Sequence, residues 1–238
     1  MMRLREIIDG SRILCVFTGA GISCPSGIPD FRSENGIYRT SAGAYAPEEI
    51  ISHSFFTAHP DLFYEFYRAK MLYPNARPNA AHAYFASLQT NARRVAVVTQ
   101  NIDGLHQAAG SREVYELHGS ALRNYCMDCG RHFGMDAILT PGVPHCPDCG
   151  GLIRPDVVLY EEPLDEAVVS HALDAIRAAD TMLVIGTSLV VYPAAMYVRY
   201  FRGRHLILIN KAETPYDKLA ELAFHEDIID VVAALNPR

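Results

Sequence analysis

Four of the six cysteines form a pair of pairs, Cys126-x-x-Cys129 and Cys146-x-x-Cys149, with sixteen residues between the inner two. Four thiolates at that spacing can close a tetrahedral zinc shell, and the pattern is among the more specific short signals a sequence carries. A disulfide framework of a secreted chain is the competing reading. The opening MMRLREIIDG has no apolar run before a small-residue cleavage site, so a reducing cytoplasm is expected for all six thiols. A catalytic zinc keeps a water position open and recruits histidine or carboxylate. Here four cysteines close the shell, and the nearby His132 and His145 have no ligand role. One structural zinc is therefore expected. Cys15 lies in an apolar run and reads as a small core residue.

Other residues could handle a phosphate and a proton. Thr18-Gly19-Ala20-Gly21-Ile22-Ser23 follows an apolar run, and glycines there let backbone N–H groups approach a pyrophosphate. The third glycine of the dinucleotide fingerprint is missing: Cys24 stands in its place and Gly27 comes too late. No acidic residue ends a second strand about twenty residues on, as hydride-transfer enzymes require. In Ser26-Gly27-Ile28-Pro29-Asp30-Phe31-Arg32, Arg32 could pair a phosphate and Phe31 could shield a reactive ring from water; a solvated Asp–Arg pair is the plainer alternative. Thr99-Gln100-Asn101-Ile102-Asp103-Gly104-Leu105-His106 clusters hydrogen-bonding side chains at a strand end, where open α/β sheets bind ligands. An Asx-turn capping a helix from Asp103 would use fewer of them. His118 precedes a glycine, Gly119, that is expected to leave room for substrate, and it suits a general base near neutrality. His53, His59, His171 and His225 lack such a setting. Gly186-Thr187-Ser188 and Asn210 end two further apolar runs and can line a nucleotide cleft.

The elements that must position these residues are legible as short apolar runs: Ile13–Phe17, Val95–Thr99, Val157–Tyr160, Met182–Ile185 and His205–Ile209. Each is nearly continuous, as strands buried on both faces of a parallel sheet are. Leu164–Ala179 has helical spacing with Asp165 in its first turn. Asp227–Leu235 reads as a last strand or a last helix. The alternation predicts an α/β, Rossmann-like, doubly wound parallel sheet. Residues 34–80, with a helix-like Pro60–Leu72, and the zinc module at 123–153 break it and form a smaller domain by insertion. Residues 1–33, 81–122 and 154–238 then make the nucleotide-binding domain. At 238 residues with half of them apolar, the chain can bury such a core. Its net charge of −6 argues against direct nucleic-acid binding and is compatible with basic protein substrates. No apolar stretch is long enough to cross a bilayer.

Taken in order, GAGIS, SGIPDFR, TQNIDGLH, LHG, the two CxxC pairs, RPDVVLYEE, GTSLVVYPAA and the later IN resemble a sirtuin, a family of NAD-dependent protein-lysine deacylases. The resemblance spans about Val16 to Asn210 and implies a bacterial-type NAD-dependent protein deacetylase. Acetyl-lysine proteins or peptides would be its substrates. NAD would be consumed as co-substrate, giving nicotinamide and O-acetyl-ADP-ribose, which agrees with the missing hydride-enzyme fingerprint. By position, Gly19, Ala20, Gly21, Cys24, Phe31 and Arg32 would contact NAD. Gln100 and Asn101 would hold the nicotinamide ribose, and Ile102 and Asp103 the nicotinamide amide. Gly186, Thr187, Ser188 and Asn210 would take the phosphate and adenosine end, with Asp227 and Ile228 at the adenine. His118 would be the catalytic base, with Asn101 and Asp103 beside it. Val157, Val158, Leu159 and Tyr160 on one side, and Leu189, Val190 and Val191 on the other, would sandwich the peptide as an added strand. Protein mono-ADP-ribosylation and removal of longer acyl chains are the alternatives.

Three departures stand out. Tyr160-Glu161-Glu162 replaces the family's frequent Phe-Gly-Glu and is expected to put a bulky charge beside the peptide cleft. Cys24 replaces the usual Thr. Members that remove succinyl or malonyl groups carry Tyr-x-x-Arg, whereas here Tyr64-Glu65-Phe66-Tyr67 places Tyr67 at the arginine position. Arg68 comes one residue late and on a helix would point about 100° away. An apolar acyl pocket is expected.

Overall fold

The computed structural model describes residues 1–31, 33, 36–40 and 44–236. Its strands are β1 (Ile13–Thr18), β2 (Arg94–Thr99), β3 (Glu113–Glu116), β4 (Gly119–Cys126), β5 (His132–Phe133), β6 (Ile153–Val157), β7 (Thr181–Ile185), β8 (His205–Ile209) and β9 (Leu222–Phe224). Six form one sheet in the order β3-β2-β1-β7-β8-β9, every pair parallel. The other three form an antiparallel sheet, β5-β4-β6. The α-helices are α1 (Met2–Gly10), α2 (Ile37–Thr40), α3 (Pro47–Ile50), α4 (His53–Ala58), α5 (Pro60–Lys70), α6 (Ala80–Ser87), α7 (Leu105–Ala108), α8 (Asp136–Leu139), α9 (Glu166–Ala178) and α10 (Ile228–Leu235).

The continuous apolar runs serve two cores at once. Side chains alternate across a strand. Leu14, Val16, Val97, Leu183, Ile185, Ile207 and Ile209 therefore face one core, completed by Leu4 and Ile8 of α1, Phe85 of α6 and Val231 of α10. Cys15, Phe17, Val98, Met182, Val184 and Leu208 face the other, completed by Ala172 and Ile176 of α9 and by Tyr197. With both faces covered by helices, a polar residue mid-strand would be buried without a partner, so both alternating sets are apolar. The strand order reverses between β1 and β7, which opens a crevice at their C-terminal ends.

One expected strand is placed elsewhere. Val157–Tyr160 does not join the parallel sheet; the strand is β6, Ile153–Val157, paired antiparallel with β4. Its β-branched run was indistinguishable by periodicity from a buried parallel strand. Consequently β4 and β6 straddle the positions 122/123 and 153/154 at which the sequence suggested module boundaries. Both insertions share a third core. Phe56, Phe63, Tyr64 and Tyr67 from the first pack with Cys126, Ile138, Cys146 and Ile153 of the second.

Local signals account for the ends of several helices. The Asp165 side chain accepts the Val168 N–H at the start of α9. Asp227 accepts from Ile229 N, which settles the last segment as a helix. Asn79 and His82 form a reciprocal capping box on α6.

His82 and His106 are buried, at 0% and 1% exposure. Burial lowers the pKa of His82 to about 4 and that of His106 to about 3. Burial lowers that of His118 as well. The unfolded chain therefore binds more protons than the folded one once the pH drops below about 6.5. Stability should fall from that pH downward, by up to about 1.4 kcal/mol per pH unit for each such histidine. Urea midpoints measured between pH 7 and 5, above the range where carboxylates titrate, check this; a flat profile would contradict the burial of neutral imidazoles.

Candidate active site

A cleft of about 1220 Å³ runs along the C-terminal ends of β1, β2, β7 and β8 and under the small sheet. Its nucleotide-sized half begins at a backbone contact. Gly21 N donates to Gly186 O at 2.8 Å, and Gly19 N donates to Ile185 O at 3.0 Å. A Cβ on Gly21 would lie 2.6 Å from the Gly186 Cα, and Gly186 itself has φ of +59°. Only glycine allows the two turns to touch. The walls there are Gly19, Ala20, Gly21, Cys24, Phe31, Gly186, Thr187, Ser188, Asn210, Asp227 and Ile228, so these expected contacts come together. Arg32 lies outside the described residues. The Cys24 thiol sits 3.6 Å from the Ala20 carbonyl, and burial raises its pKa, which keeps it a neutral wall group. Asp227 also pairs with Lys211 at 2.8 Å, an ion pair the sequence did not disclose.

At the end of β2 the side chains interlock. Gln100 Nε2 donates to Thr187 Oγ1 at 3.1 Å. Asn101 Nδ2 donates to the Gly19 carbonyl and to Ser23 Oγ, both at 3.1 Å. Ser23 Oγ in turn donates to Asp103 Oδ2 at 2.6 Å, and Asp103 Oδ1 accepts the Leu105 N–H. Asp103 is thus an Asx-turn residue and a site residue together. Ser23 was passed over in the sequence; its adjacency to a glycine turn was the available signal. Gln100, Asn101, Ile102, Asp103 and His118 all line the cleft.

His118 Nδ1 lies 2.9 Å from the Gln100 carbonyl. A carbonyl only accepts, so Nδ1 carries the proton and Nε2 holds the lone pair. Burial lowers the pKa, and the Gln100 bond partly opposes it. The imidazole is therefore neutral and basic at Nε2 near pH 7. Gly119 does not leave room for substrate. A Cβ there would meet the Asp156 carbonyl at 2.1 Å, so the space admits the backbone of β6.

Another wall of the cleft follows β6. Val157, Val158, Leu159 and Tyr160 line the cleft, as does Val191 opposite. Leu189 is instead 2% exposed and packed in the sheet core, and Val190 is exposed and off the wall. Glu161 lines the cleft as expected, with its carboxylate anchored rather than free. Its carboxylate accepts the Ser54 N–H and hydroxyl, both at 2.9 Å, on the first turn of α4. Burial opposes ionisation of Glu162, but the Arg154 guanidinium, the Leu159 N–H and His53 together outweigh it and hold the carboxyl at about 2. Tyr67 is on the cleft wall. Arg68 turns away as expected, donating to the Ile138 and Gly142 carbonyls.

The four cysteine sulfurs lie within 4.8 Å of one another, with Cys126–Cys149 at 3.4 Å and Cys129–Cys146 at 3.8 Å. Zinc–sulfur bonds of about 2.3 Å in a tetrahedron require sulfurs about 3.8 Å apart, so the set fits one zinc. Two matching turns hold it: Gly130 N donates to Cys126 O, and Gly150 N donates to Cys146 O. His145 is spent on the Gly150 carbonyl. No cysteine of the set lines the cleft, which makes the metal structural.

A family model described as the Sir2 family matches residues 19–193. A Clostridium perfringens protein named NAD-dependent protein deacetylase is 53% identical over 229 residues, covering 95% of this chain and 94% of that one. A Cutibacterium acnes protein of the same name is 48% identical over 236 residues, covering 98% and 96%. A solved structure described as Sir2 with a p53 peptide and NAD+ superposes with a TM-score of 0.85 at 38% identity, covering 99% of this chain and 96% of that one. Another, of Sir2 bound to acetylated peptide, gives 0.84 at 36% identity with coverages of 99% and 96%. The chain belongs to the Sir2 family, the sirtuins.

Removing the metal with a strong chelator should melt the three-stranded sheet and its aromatic core, with activity lost in parallel. Far-ultraviolet circular dichroism followed beside turnover tests this. A chelated protein that stays fully folded yet inactive would assign the zinc to chemistry.

Proposed function

We infer that this chain is an NAD-dependent protein-lysine deacetylase, an acyltransferase that moves the acetyl group from lysine to ADP-ribose. The observation that carries the reading is His118, a neutral imidazole pinned through Nδ1 to the Gln100 carbonyl, with Asn101 and Asp103 beside it on the same wall. The cleft fits the dinucleotide. The Gly21–Gly186 contact leaves no side chain between the two turns at the phosphate end, and the polar cluster at the end of β2 suits a ribose and an amide. When bound, NAD supplies an activated sugar carbon and a nicotinamide leaving group.

The chain's own residues then divide the labour. Gly19, Ala20, Gly21, Thr187, Ser188 and Asn210 hold the phosphate and adenosine end. Asn101 orients the ribose, and Asp103, braced by Ser23, holds the nicotinamide amide. Phe31 excludes water from the reacting carbon. His118 accepts a ribose hydroxyl proton at Nε2. Val157 to Tyr160 and Val191 take the peptide as an added strand, read through its backbone. The acyl pocket is apolar, since Tyr67 replaces an arginine and Arg68 is engaged elsewhere. The two units meet at the His118–Gly119 junction, one built on the parallel sheet and one on the zinc-bearing sheet with its helical insertion. No helix among the described residues is long and apolar enough to cross a membrane. The free thiols suit the reducing cytoplasm, where we place the enzyme.

Mass spectrometry of an acetyl-lysine peptide incubated with and without NAD tests the reaction. Loss of the acetyl group only with NAD, with O-acetyl-ADP-ribose formed, is expected. Label from NAD left on protein would favour ADP-ribosyl transfer. His118→Ala should lower kcat about 10²–10⁴-fold. The acid limb of the wild-type profile should fall below pH 6.5, since the buried imidazole protonates only there. Acetyl peptides should be preferred to succinyl peptides; the reverse preference would overturn the apolar pocket.

A further inference from the structure

Behind the cleft wall runs a chain of buried polar groups that the proposed chemistry does not use. Backbone N–H groups can only donate, and this fixes the direction of the two end links, at Asn79 and at Asn101. Asn79 N lies 3.3 Å from His82 Nδ1, so that nitrogen accepts and the proton of neutral His82 sits on Nε2. Thr18 spends its hydroxyl proton on Thr99 Oγ1 at 2.8 Å. His106 Nε2, 3.0 Å from Thr18 Oγ1, must then donate to it, which leaves the lone pair on Nδ1. Thr99 Oγ1 also accepts the backbone N–H of Asn101 at 3.0 Å. The two nitrogens left over, His82 Nε2 and His106 Nδ1, are a donor and an acceptor. Both are buried without a hydrogen-bond partner, on rings that meet edge to face with centroids 4.9 Å apart. The bonded run is therefore His106 to Thr18 to Thr99, ending on the Asn101 N–H at the end of β2.

We propose that His106 is a positioning residue for Asn101, acting through the Thr18 and Thr99 hydroxyls. The inference rests on the deacetylase reading, in which Asn101 orients the reacting ribose. Thr99 and Asn101 bracket Gln100, where the chain leaves β2. The Thr99 oxygen holds the first peptide of that turn, and the Asn101 side chain holds Gly19 and Ser23. Thr99 has several rotamers open to it, and the Thr18 hydroxyl selects the one that faces the Asn101 N–H. Thr18 is 0% exposed, and no solvent can replace that bond. His106, at 1% exposure, orients the Thr18 hydroxyl by occupying its oxygen. The rings stay neutral because both are buried, so the chain keeps one direction at neutral pH.

The test compares near-isosteric variants in steady-state assays with an acetyl-lysine peptide and NAD. Thr18→Val removes only the hydroxyl and should lower kcat about tenfold or more, with the peptide KM changed less than about twofold. Thr18→Ser should restore kcat to within about threefold of wild type. Likewise His106→Gln, which can keep a donor, should retain more activity than His106→Leu, and this pair decides the matter if Thr18→Val fails to fold. A Thr18→Val enzyme with wild-type kcat overturns the proposal, and so does a Thr18→Ser enzyme as impaired as the valine variant. A wild-type protein that does not deacetylate with NAD would instead remove the reading beneath it.

Discussion

The site depends on two backbone turns meeting without side chains between them. β1 and β7 are neighbours where the strand order reverses, and their C-terminal turns cross at Gly21 and Gly186. That crossing brings Gly19 and Thr187 together, and each then carries a further bond: Asn101 reaches the Gly19 carbonyl, and Gln100 reaches the Thr187 hydroxyl. The end of β2 is thereby tied to the ends of β1 and β7. Since Gln100 also fixes the His118 ring, a side chain forced between the glycines would disturb the phosphate end and the base together. Packing at sub-van-der-Waals range propagates such shifts because the surrounding core cannot absorb them.

What the sequence disclosed follows from how local each signal was. The strand runs were readable because burial on both faces forbids polar residues at either parity. The zinc set was readable because four thiols within 24 residues, Cys126 to Cys149, close a site from two tight turns. Val157–Tyr160 was misplaced because its apolar run does not say which sheet it pairs with. Gly119 was credited to a substrate, whereas its constraint comes from a strand more than thirty residues away. Leu189 has φ of +54° and turns into the core, a direction that no periodicity encodes. The His106–Thr18–Thr99 chain joins three segments, and each hydroxyl looks unremarkable within its own.

The Tyr160-Glu161-Glu162 departure shows how a local rule is broken and compensated. Glu161 has φ of +76°, which costs a non-glycine residue roughly 1–2 kcal/mol. Its carboxylate takes two hydrogen bonds at the positive end of α4, interactions that together are about as large. Tyr160 N and O meanwhile bond Ile51 and His53, and Glu162 bonds Arg154, His53 and Leu159 N. This lip of the cleft is thus fastened to the start of α4 on three successive residues. The Tyr160 hydroxyl adds a contact at 2.9 Å to Tyr38, whose ring packs on Phe31. A phenylalanine at 160 would keep the ring but not that link, so this chain joins the segment after β6 to the loop that carries Phe31.

The cysteine set lies off the cleft yet is packed against it, because its cysteines and the Tyr67 wall share one core. Cys126 and Cys146 pack in the same cluster as Phe63, Tyr64 and Tyr67 of α5. Phe63 stacks on Tyr67 at 5.3 Å, Tyr64 donates to the Ile153 carbonyl on β6, and Arg68 reaches carbonyls at and beyond α8. Neither element has a core of its own. α5 is eleven residues long, and the segment from β5 to β6 is mostly turns. Helices of that length are marginal alone and take their stability from packing. Cys126 ends β4, β4 pairs with β6, and the Tyr64 bond ties α5 to β6. Tyr67 in the cleft wall and two cysteines of the metal set are thus held in one core, through contacts alone and without any ligand in common.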